Sequence, residues 1–437
     1  MLIAAATRFR RATAVSVAAQ QFARGMPATA ASSAAAAAAA AASRSSSSSS
    51  SYTVNGLELS TSGPSSGPRV LVTKPLPGTR WLELLHRAGC RVDVVTNGQT
   101  ILSVDEITSL IGKDCAGVLG QLTEDWGDTL FKALKDAGGQ VYSNYAVGYN
   151  NVDVGAATKH GVPVGNTPGV LTETTAELAA ALTLSAARRV VEADVFMRGG
   201  LYKGWLPDLF IGSLLQGKTV GIVGAGRIGI AYAKMLVEGH KMDVVYYDPF
   251  PKPDFEAYVQ GYGEFCAKHG ERKVTCRRVE LEELFKVSDV ISLHCLLTPE
   301  TKHLVDARAL GMMKKDTVLV NAARGPVINE ADLVKHLQAN PDFRVGLDVF
   351  EDEPLMAPGL DTCPNAVIVP HIASASMWTR SAMATLAAAN VAERIAGNPV
   401  HADVGNVVEK FVDADFESVP RKSPSIVNAK ELGLELA

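Results

Sequence analysis

The sequence predicts an α/β protein with two domains, each built around a parallel sheet. From Arg69 onward, short runs of β-branched and aliphatic residues alternate with helical patterns, which is typical of strand–helix–strand units. An Ala-rich helical segment separates two such series of strands. With 437 residues, 47% of them apolar and 20% charged, the chain is long enough for two or three globular domains.

The first 65 residues differ in composition from the rest and are predicted to be a transit peptide followed by a low-complexity leader. Residues 1–57 contain five arginines, no lysine and no acid, and they include an alanine run at 34–42 and a serine run at 45–51. This composition is typical of organelle transit peptides. The early arginines favour the mitochondrion over the chloroplast, and a plain disordered tail is the alternative.

The charge of the remaining chain and the scatter of its cysteines exclude several classes of protein. Without those five arginines the chain has 37 basic and 46 acidic residues, which disfavours a nucleic-acid partner. The six cysteines and nine histidines form no CxxC or HExxH motif, so we expect reduced thiols and no metal site. No stretch of about 20 strongly apolar residues occurs, so we expect no membrane span.

The first series of strands predicts a flavodoxin-like sheet. Its strands are expected at Val70–Thr73, Val92–Thr96, Gly117–Gly120, Val141–Ser143 and Val162–Gly165. Helices are expected between them, among others at Trp81–Ala88 and Thr129–Ala137.

The second series of strands predicts a six-stranded sheet of its own. A single long helix at Thr172–Met197 is expected to lead into it, since this segment has no internal Gly or Pro. The six strands are expected at Thr219–Val223, Val244–Tyr247, Val290–Leu293, Val318–Val320, Val345–Val349 and Ala366–Val369. A helix at Met377–Ile395 should cross back, so that residues 69–170 and 372–437 form one domain and residues 171–371 the other.

A glycine-rich motif opens the second domain. Gly224, Gly226 and Gly229 follow the strand at Thr219–Val223 and precede a helical stretch at Ile230–Leu236. This order predicts a Rossmann dinucleotide site: the glycines allow a tight turn, close approach of the pyrophosphate, and close packing of helix on strand. A structural glycine turn is the alternative.

Asp248 indicates which dinucleotide is bound. It ends the next strand, 19 residues after Gly229, where a carboxylate binds the ribose hydroxyls of NAD and repels the 2′-phosphate of NADP. No arginine occurs at 249–251, although Lys252 leaves NADP(H) open. An aspartate before Pro249 could also simply start a turn.

Three polar residues follow the last three predicted strands and form the candidate catalytic group. Arg324, Glu353 and His371 each lie just beyond a carboxyl end, and these ends border the ligand crevice of an open parallel sheet. Arginine binds a carboxylate in bidentate fashion, histidine can protonate a carbonyl oxygen, and a glutamate beside it orients the imidazole. Together they predict reduction of a 2-keto acid, although each residue alone could be structural. His294, at the end of the third strand, is expected to contact the cofactor through its backbone.

These residues lie in runs that resemble the D-isomer-specific 2-hydroxyacid dehydrogenases: Asn321-Ala-Ala-Arg-Gly-Pro-Val, Gly346-Leu-Asp-Val-Phe-Glu-Asp-Glu-Pro and Pro370-His-Ile-Ala-Ser. The resemblance implies that Arg324 anchors the substrate, that His371 is the acid/base and that Glu353 is its partner. It places the active site in a cleft between an NAD-binding Rossmann domain (171–371) and a substrate-binding domain, and it implies a homodimer. The implied NAD contacts are Arg227, Ile228, Asp248, Ala322, Ala323, Arg324, Asp348, His371 and Ser374. The implied substrate contacts, besides Arg324 and His371, are the backbone N–H groups of Val147 and Gly148.

Further runs, such as Gly165-Asn-Thr-Pro-Gly-Val-Leu-Thr-Glu, resemble the plant hydroxypyruvate reductases of this family. This implies NADH-dependent reduction of hydroxypyruvate to D-glycerate in photorespiration, with glyoxylate as a second substrate. Another D-2-hydroxyacid dehydrogenase and an NAD-sensing corepressor are the alternatives. The chain ends in Glu435-Leu-Ala instead of a peroxisomal tripeptide, so the peroxisome is disfavoured. Residues 253–278 form an insertion for which the sequence suggests no role.

Overall fold

A computed structural model describes residues 50–97, 101–402 and 408–437. The strands are β1 (Ser50–Val54), β2 (Leu57–Ser62), β3 (Arg69–Val72), β4 (Arg91–Val95), β5 (Gly117–Gly120), β6 (Val141–Asn144), β7 (Val164–Gly165), β8 (Thr219–Val223), β9 (Asp243–Tyr247), β10 (Cys276–Arg278), β11 (Val290–Leu293), β12 (Val318–Asn321), β13 (Arg344–Leu347) and β14 (Ala366–Ile368). The helices are α1 (Arg80–Arg87), α2 (Val104–Ile111), α3 (Asp128–Asp136), α4 (Val154–Lys159), α5 (Thr172–Ala187), α6 (Val190–Arg198), α7 (Arg227–His240), α8 (Pro253–Lys268), α9 (Leu281–Val287), α10 (Ala307–Met312), α11 (Glu330–Ala339), α12 (Met377–Ile395) and α13 (Val408–Val412). Short 3₁₀ turns occur at Gly325–Val327, Leu360–Thr362 and Phe416–Ser418.

The chain divides into two compact units. The central unit is Thr172–Ser374, and the flanking unit comprises the described residues up to Leu171 together with Ala375–Ala437. Each unit contains its own seven-stranded sheet, so the predicted class of two parallel-sheet α/β domains is confirmed. In the part of the chain that the structure covers, no helix is both long and apolar enough to span a bilayer.

The sheet of the flanking unit has the order β1-β2-β4-β3-β5-β6-β7, and its last five strands are parallel in a flavodoxin-like order. One face is covered by α12, in which residues 382–393 are all buried and six of them are alanines. The helix packs closely on the sheet because the facing strand positions are small: a Cβ on Gly117 would lie 3.0 Å from Val391 Cγ1.

A hairpin of β1 and β2 adds two antiparallel strands that the sequence analysis assigned to the leader. Asn55 and Gly56 form its two-residue turn, both with positive φ, which is the backbone that an Asn-Gly hairpin requires. Leu59 is fully buried, and Tyr52 Oη donates to Asp93 Oδ2 at 2.9 Å. The expectation of a low-complexity leader up to residue 65 is therefore wrong for residues 50–62, while residues 1–49 lie outside the described part.

The central sheet is parallel throughout, in the order β10-β9-β8-β11-β12-β13-β14. The order reverses between β8 and β11, which is the topological switch point of a Rossmann sheet. The prediction of six strands is wrong, because the insertion at 253–278 forms α8 and an additional strand, β10, that pairs with β9. With only three residues, two of them exposed arginines, β10 lacks the apolar run by which the other strands were predicted.

The helix predicted at Thr172–Met197 is broken into α5 and α6. Arg189, between them, adopts a left-handed conformation with φ 56°. The carbonyl of Ala187 accepts the N–H of Ser213 at 2.8 Å, and Arg189 is held by Glu192, with Nε–Oε2 at 2.8 Å. The break therefore depends on a contact with residues about 25 positions further along the chain, which periodicity does not reveal.

Candidate active site

The glycine motif lies between β8 and α7, at the carboxyl edge of the sheet and at its switch point. Gly224 has φ 93°, and a Cβ there would lie 2.7 Å from Cys295 N. A Cβ on Gly229 would overlap the carbonyl oxygen of Gly224 and lie 3.1 Å from Ile222 Cγ2. Both positions therefore exclude larger residues for reasons of turn geometry and of helix packing on the strand.

Gly226 differs from the other two glycines, since nothing lies within 4 Å of a Cβ built on it. It is the exposed N-cap residue of the 14-residue helix α7, and Arg227 and Ile228 form the first turn. The open space above Gly226 and the N–H groups of the first helical turn suit a pyrophosphate. These residues fit a dinucleotide, and when NADH is bound there it supplies a hydride.

Asp248 follows β9 and is 8% exposed. Its Oδ1 accepts the N–H of Phe250 at 2.9 Å and lies 3.3 Å from Lys252 Nζ. Arg278, from β10, donates from Nε to the carbonyl of Asp248 at 3.0 Å and from Nη2 to that of Pro249 at 3.1 Å. The structure thus brings an arginine beside Asp248 that the sequence analysis missed because it is 30 positions away.

His294 follows β11 and packs against the ring of Tyr232, with ring centroids 5.2 Å apart. Its Nε2 lies 2.8 Å from Ser292 Oγ, and burial lowers its pKa to about 3. A Cβ on Gly224 would lie 2.8 Å from the His294 carbonyl carbon, so the His294 backbone lines the glycine turn. The imidazole is therefore neutral and structural, and the contact of its backbone with the cofactor stays a prediction.

The candidate catalytic trio, Arg324, Glu353 and His371, lies on adjacent strand ends, because β12, β13 and β14 are neighbours in the sheet. His371 Nδ1 donates to Glu353 Oε2 at 2.8 Å, and Glu353 Oε1 accepts the N–H of Phe350 at 3.1 Å. Burial raises the pKa of Glu353, but the hydrogen bond and charge of His371, with smaller contributions from Phe350 N–H and Arg324, lower it overall. Glu353 is thus an anion that orients His371 and leaves its Nε2 as the group for proton transfer.

Asp348 holds the loop that carries His371. This fully buried carboxylate accepts the N–H of Ile372 at 2.6 Å and that of Ala373 at 2.9 Å, while its carbonyl accepts the N–H of His371 at 2.9 Å. His371 itself adopts φ 50°, a left-handed conformation that these three bonds stabilise. Ser374 is half-buried at the end of the central unit.

Arg324 is half-buried in the loop after β12, and burial lowers its pKa while the charge of Glu353 raises it. Asn321 shapes this loop: its Nδ2 donates to the Arg324 carbonyl at 2.9 Å, and its Oδ1 accepts the N–H of Ala323 at 3.0 Å. Ala322 is 9% exposed, next to this turn. The sequence analysis quoted Asn321 within a motif but gave it no role.

Gly325 is a second residue whose role the sequence analysis missed. A Cβ there would overlap the carbonyl of Phe350 and lie 2.5 Å from Glu351 N. The loop that carries Arg324 therefore packs directly on the segment that leads to Glu353. A glycine within the quoted Arg-Gly-Pro run was the available signal.

In the flanking unit, Val147 and Gly148 form a turn after β6. The Val147 carbonyl accepts from Asn166 Nδ2 at 2.9 Å and the Gly148 carbonyl from Asn144 Nδ2 at 3.0 Å. Within the described ranges, the N–H groups of these two residues donate to no protein acceptor. Two fixed and available N–H groups are a suitable site for an anion such as a carboxylate.

Comparison with known proteins identifies the class to which this fold and site belong. Residues 180–373 match the family model described as the NAD binding domain of D-isomer specific 2-hydroxyacid dehydrogenases. The chain belongs to this family and is an NAD-dependent dehydrogenase of it. The predicted family, enzyme class and cofactor are thereby confirmed.

Individual relatives point to a narrower group within this family. The chain is 60% identical to the glycerate dehydrogenase of Cucumis sativus over 378 residues, which is 86% of this chain and 98% of the relative. It is 58% identical to the peroxisomal glycerate dehydrogenase HPR of Arabidopsis thaliana, over 87% of this chain and 98% of the relative. Among solved structures, an NADPH-dependent glyoxylate/hydroxypyruvate reductase from Sinorhizobium meliloti, in complex with NADP and malonate, superposes with a TM-score of 0.62 at 30% identity, covering 76% of this chain and 95% of that one.

Proposed function

We propose that this enzyme reduces hydroxypyruvate to D-glycerate with NADH. The observation that carries the chemistry is the 2.8 Å hydrogen bond between His371 Nδ1 and Glu353 Oε2, on strand ends adjacent to the one that carries Arg324. The substrate class follows from two glycerate dehydrogenases that are 58–60% identical and matched over 98% of their length. Glyoxylate is the expected second substrate, since a glyoxylate reductase of Thermococcus litoralis is 39% identical to this chain over 332 residues.

The residues of the trio have distinct tasks in this reaction. The Arg324 guanidinium binds the carboxylate of the 2-keto acid, which leaves the carbonyl oxygen to accept a proton from His371 Nε2. Glu353 stabilises the imidazolium before that transfer and fixes the ring afterwards. Within the flanking unit, the N–H groups of Val147 and Gly148 have no acceptor among the described residues, which supports the prediction that this turn binds a carboxylate.

The test compares purified wild-type protein with an Arg324→Ala variant, using NADH with hydroxypyruvate, glyoxylate and pyruvate. We expect the wild type to prefer hydroxypyruvate, and the variant to lose at least about a hundredfold in kcat/KM because the charge-assisted contact of Arg324 with the substrate carboxylate is removed. Arg308→Ala is the matched control, since this exposed arginine pairs only with Glu282 among the described residues. Wild-type turnover by Arg324→Ala would contradict the role given to Arg324, and absence of turnover by the wild-type protein would favour an NAD-sensing binding protein. Preference for another 2-keto acid would contradict only the substrate.

We further propose that the enzyme is a homodimer that uses the segment from α6 to residue 214. Seven large apolar side chains of this segment are more than half exposed: Val190, Met197, Leu201, Trp205, Leu206, Ile211 and Leu214. A contiguous stretch of this kind is unusual on the surface of a monomer. Analytical ultracentrifugation should give a dimer for the wild type and for Phe265→Asp, an exposed position on α8, but a monomer for Trp205→Asp combined with Leu214→Asp. A monomeric wild type would refute this proposal.

We also propose import into the mitochondrial matrix, with a role in photorespiration. The support is compositional: five arginines and no acid in the first 57 residues. Residues 1–49 fused to a fluorescent protein should direct it to mitochondria, and deletion of these residues, which leaves the β1–β2 hairpin in place, should abolish import of the full chain. Chloroplast or peroxisomal fluorescence of the full-length fusion would refute the placement.

A further inference from the structure

A buried carboxylate outside the catalytic trio bridges the segment that carries Glu353. Glu330, the first residue of α11, is 3% exposed. Its Oε1 accepts the N–H of Glu351 at 2.6 Å, and its Oε2 accepts the N–H of Ala357 at 2.9 Å. The two oxygens of one side chain therefore hold both ends of the 351–357 segment, and Glu353 lies between these two anchors.

The contact is reciprocal. Glu351 Oε2 accepts the N–H of Glu330 at 3.2 Å, and Glu351 Oε1 lies 2.5 Å from His303 Nε2. The start of the segment is thus fixed in two directions, whereas Ala357 is held by Glu330 through its N–H and by Leu360 N–H, at 3.1 Å, through its carbonyl. Loss of the Glu330 side chain would leave the peptide N–H groups of Ala357 and Glu351 without their acceptor.

The placement of a carboxylate here is costly and needs an explanation. Burial raises the pKa of Glu330, the charges of Glu351 and Asp352 raise it further, and the two N–H groups lower it only in part. An apolar residue would avoid this cost but would leave two peptide N–H groups unsatisfied in a bend without regular structure. A carboxylate is the side chain that accepts two such bonds in fixed directions.

We propose that Glu330 is a positioning residue for the reaction, which holds the 351–357 segment so that Glu353 stays in hydrogen-bond contact with His371. The inference rests on the proposed function, because it assigns Glu330 to the acid/base pair of that reaction. Displacement of a catalytic group by about 1 Å can cost roughly a hundredfold in rate. The effect of Glu330 should therefore appear in kcat and in the pH profile, and not in cofactor binding.

The experiment compares Glu330→Ala and Glu330→Gln with a structural control, Asp289→Asn, in the full chain. Asp289 also accepts a backbone N–H, that of Thr219 at 2.9 Å, but it precedes β11, at the opposite edge of the sheet. For Glu330→Ala we expect kcat to fall about 10- to 100-fold with KM for NADH within about twofold, and the alkaline limb of the profile to move to lower pH. The kcat of Glu330→Gln, which keeps one acceptor oxygen, should lie between that of Glu330→Ala and that of the wild type.

The outcomes distinguish a role of Glu330 in positioning Glu353 from a role in stability alone. Asp289→Asn should lower the melting temperature but leave kcat and the pH profile unchanged. If Glu330→Ala behaves like Asp289→Asn, the proposal is wrong. If Glu330→Ala does not fold, Glu330→Gln is the deciding variant. A kcat equal to that of the wild type and an unshifted alkaline limb of the pH profile in Glu330→Gln would overturn the proposal. Rates are taken relative to wild type with whichever 2-keto acid it reduces, so a failure of the hydroxypyruvate assignment would be recognised separately.

Discussion

Replacing Gly325 with alanine should damage the active site without touching a catalytic side chain. Gly325 has negative φ, so alanine can adopt its backbone conformation and the effect is purely steric. The added methyl group would overlap the Phe350 carbonyl and approach Glu351 N to 2.5 Å, where real Cβ atoms keep at least about 3 Å. Both neighbours are backbone atoms, so no rotamer change relieves the overlap. The loop of Arg324 or the segment leading to Glu353 must move by about 1 Å.

The size of the effect follows from this displacement. Overpacking at a tight site costs roughly 1–3 kcal/mol, which for a unit of about 200 residues corresponds to a drop of about 2–12 °C in melting temperature. A shift of about 1 Å between Arg324 and the Glu353–His371 pair corresponds to a loss of up to roughly a hundredfold in kcat. Activity should therefore fall much more than the folded fraction does.

The assay measures kcat, KM and melting temperature for Gly325→Ala beside Gly311→Ala. Gly311 lies in helix α10 of the same unit, and nothing lies within 4 Å of a Cβ built on it. Alanine there should be neutral or stabilise by about 0.5–1 kcal/mol, since glycine weakens a helix. Wild-type kcat and melting temperature for Gly325→Ala would show that the two loops are not packed as described.

Three further changes test other parts of the site. Asp248→Ser should raise kcat/KM for NADPH about tenfold and lower it for NADH, because Lys252 loses its partner carboxylate at 3.3 Å; unchanged NADPH kinetics would refute this role. Glu353→Gln should lower kcat by about a hundredfold or more, since glutamine cannot stabilise the imidazolium of His371. A loss of kcat no larger than that of a surface variant would contradict the role of Glu353. Burial lowers the pKa of His294 to about 3 from its ordinary 6.5. As the pH drops below 6.5, the imidazole is therefore protonated in the unfolded chain before it is in the folded protein, and the free energy of unfolding falls by at most about 1.4 kcal/mol per pH unit. His294→Gln should flatten the melting temperature between pH 7 and 5, and an equal slope would be evidence against a neutral buried imidazole.

Much of the central unit could be predicted from the sequence because its signals are local. The strand into Gly224, the glycine motif and the start of the helix after Gly229 all lie within residues 219–236, and each apolar strand is recognised from a run of only three to five residues. The position of Arg324, Glu353 and His371 at neighbouring strand ends followed from one rule of parallel sheets, that carboxyl ends share an edge. The structure has β12, β13 and β14 side by side.

The elements that the sequence analysis missed have weak or misleading local signals. The hairpin turn at Asn55–Gly56 is a strong motif, but it follows a serine run that indicated a continuing leader. Strand β10 has three residues and depends on pairing with β9. The break at Arg189 is invisible to periodicity, since it depends on Ser213 and Glu192.

By itself the sequence determined the family, the NAD cofactor and the enzyme class, and it predicted a dinucleotide site after β8, a role for Asp248 in the choice of NAD, and the three candidate catalytic side chains. These conclusions depend on residue type and on order along the chain. Only the tertiary structure decided how the trio is held: Asp348 fixes His371 from 23 positions away, Glu330 bridges the segment around Glu353, and Gly325 lets two loops touch. Hydrogen bonds and steric contacts of this kind act through space over a few ångströms, so residues far apart in sequence determine them and no local pattern records them.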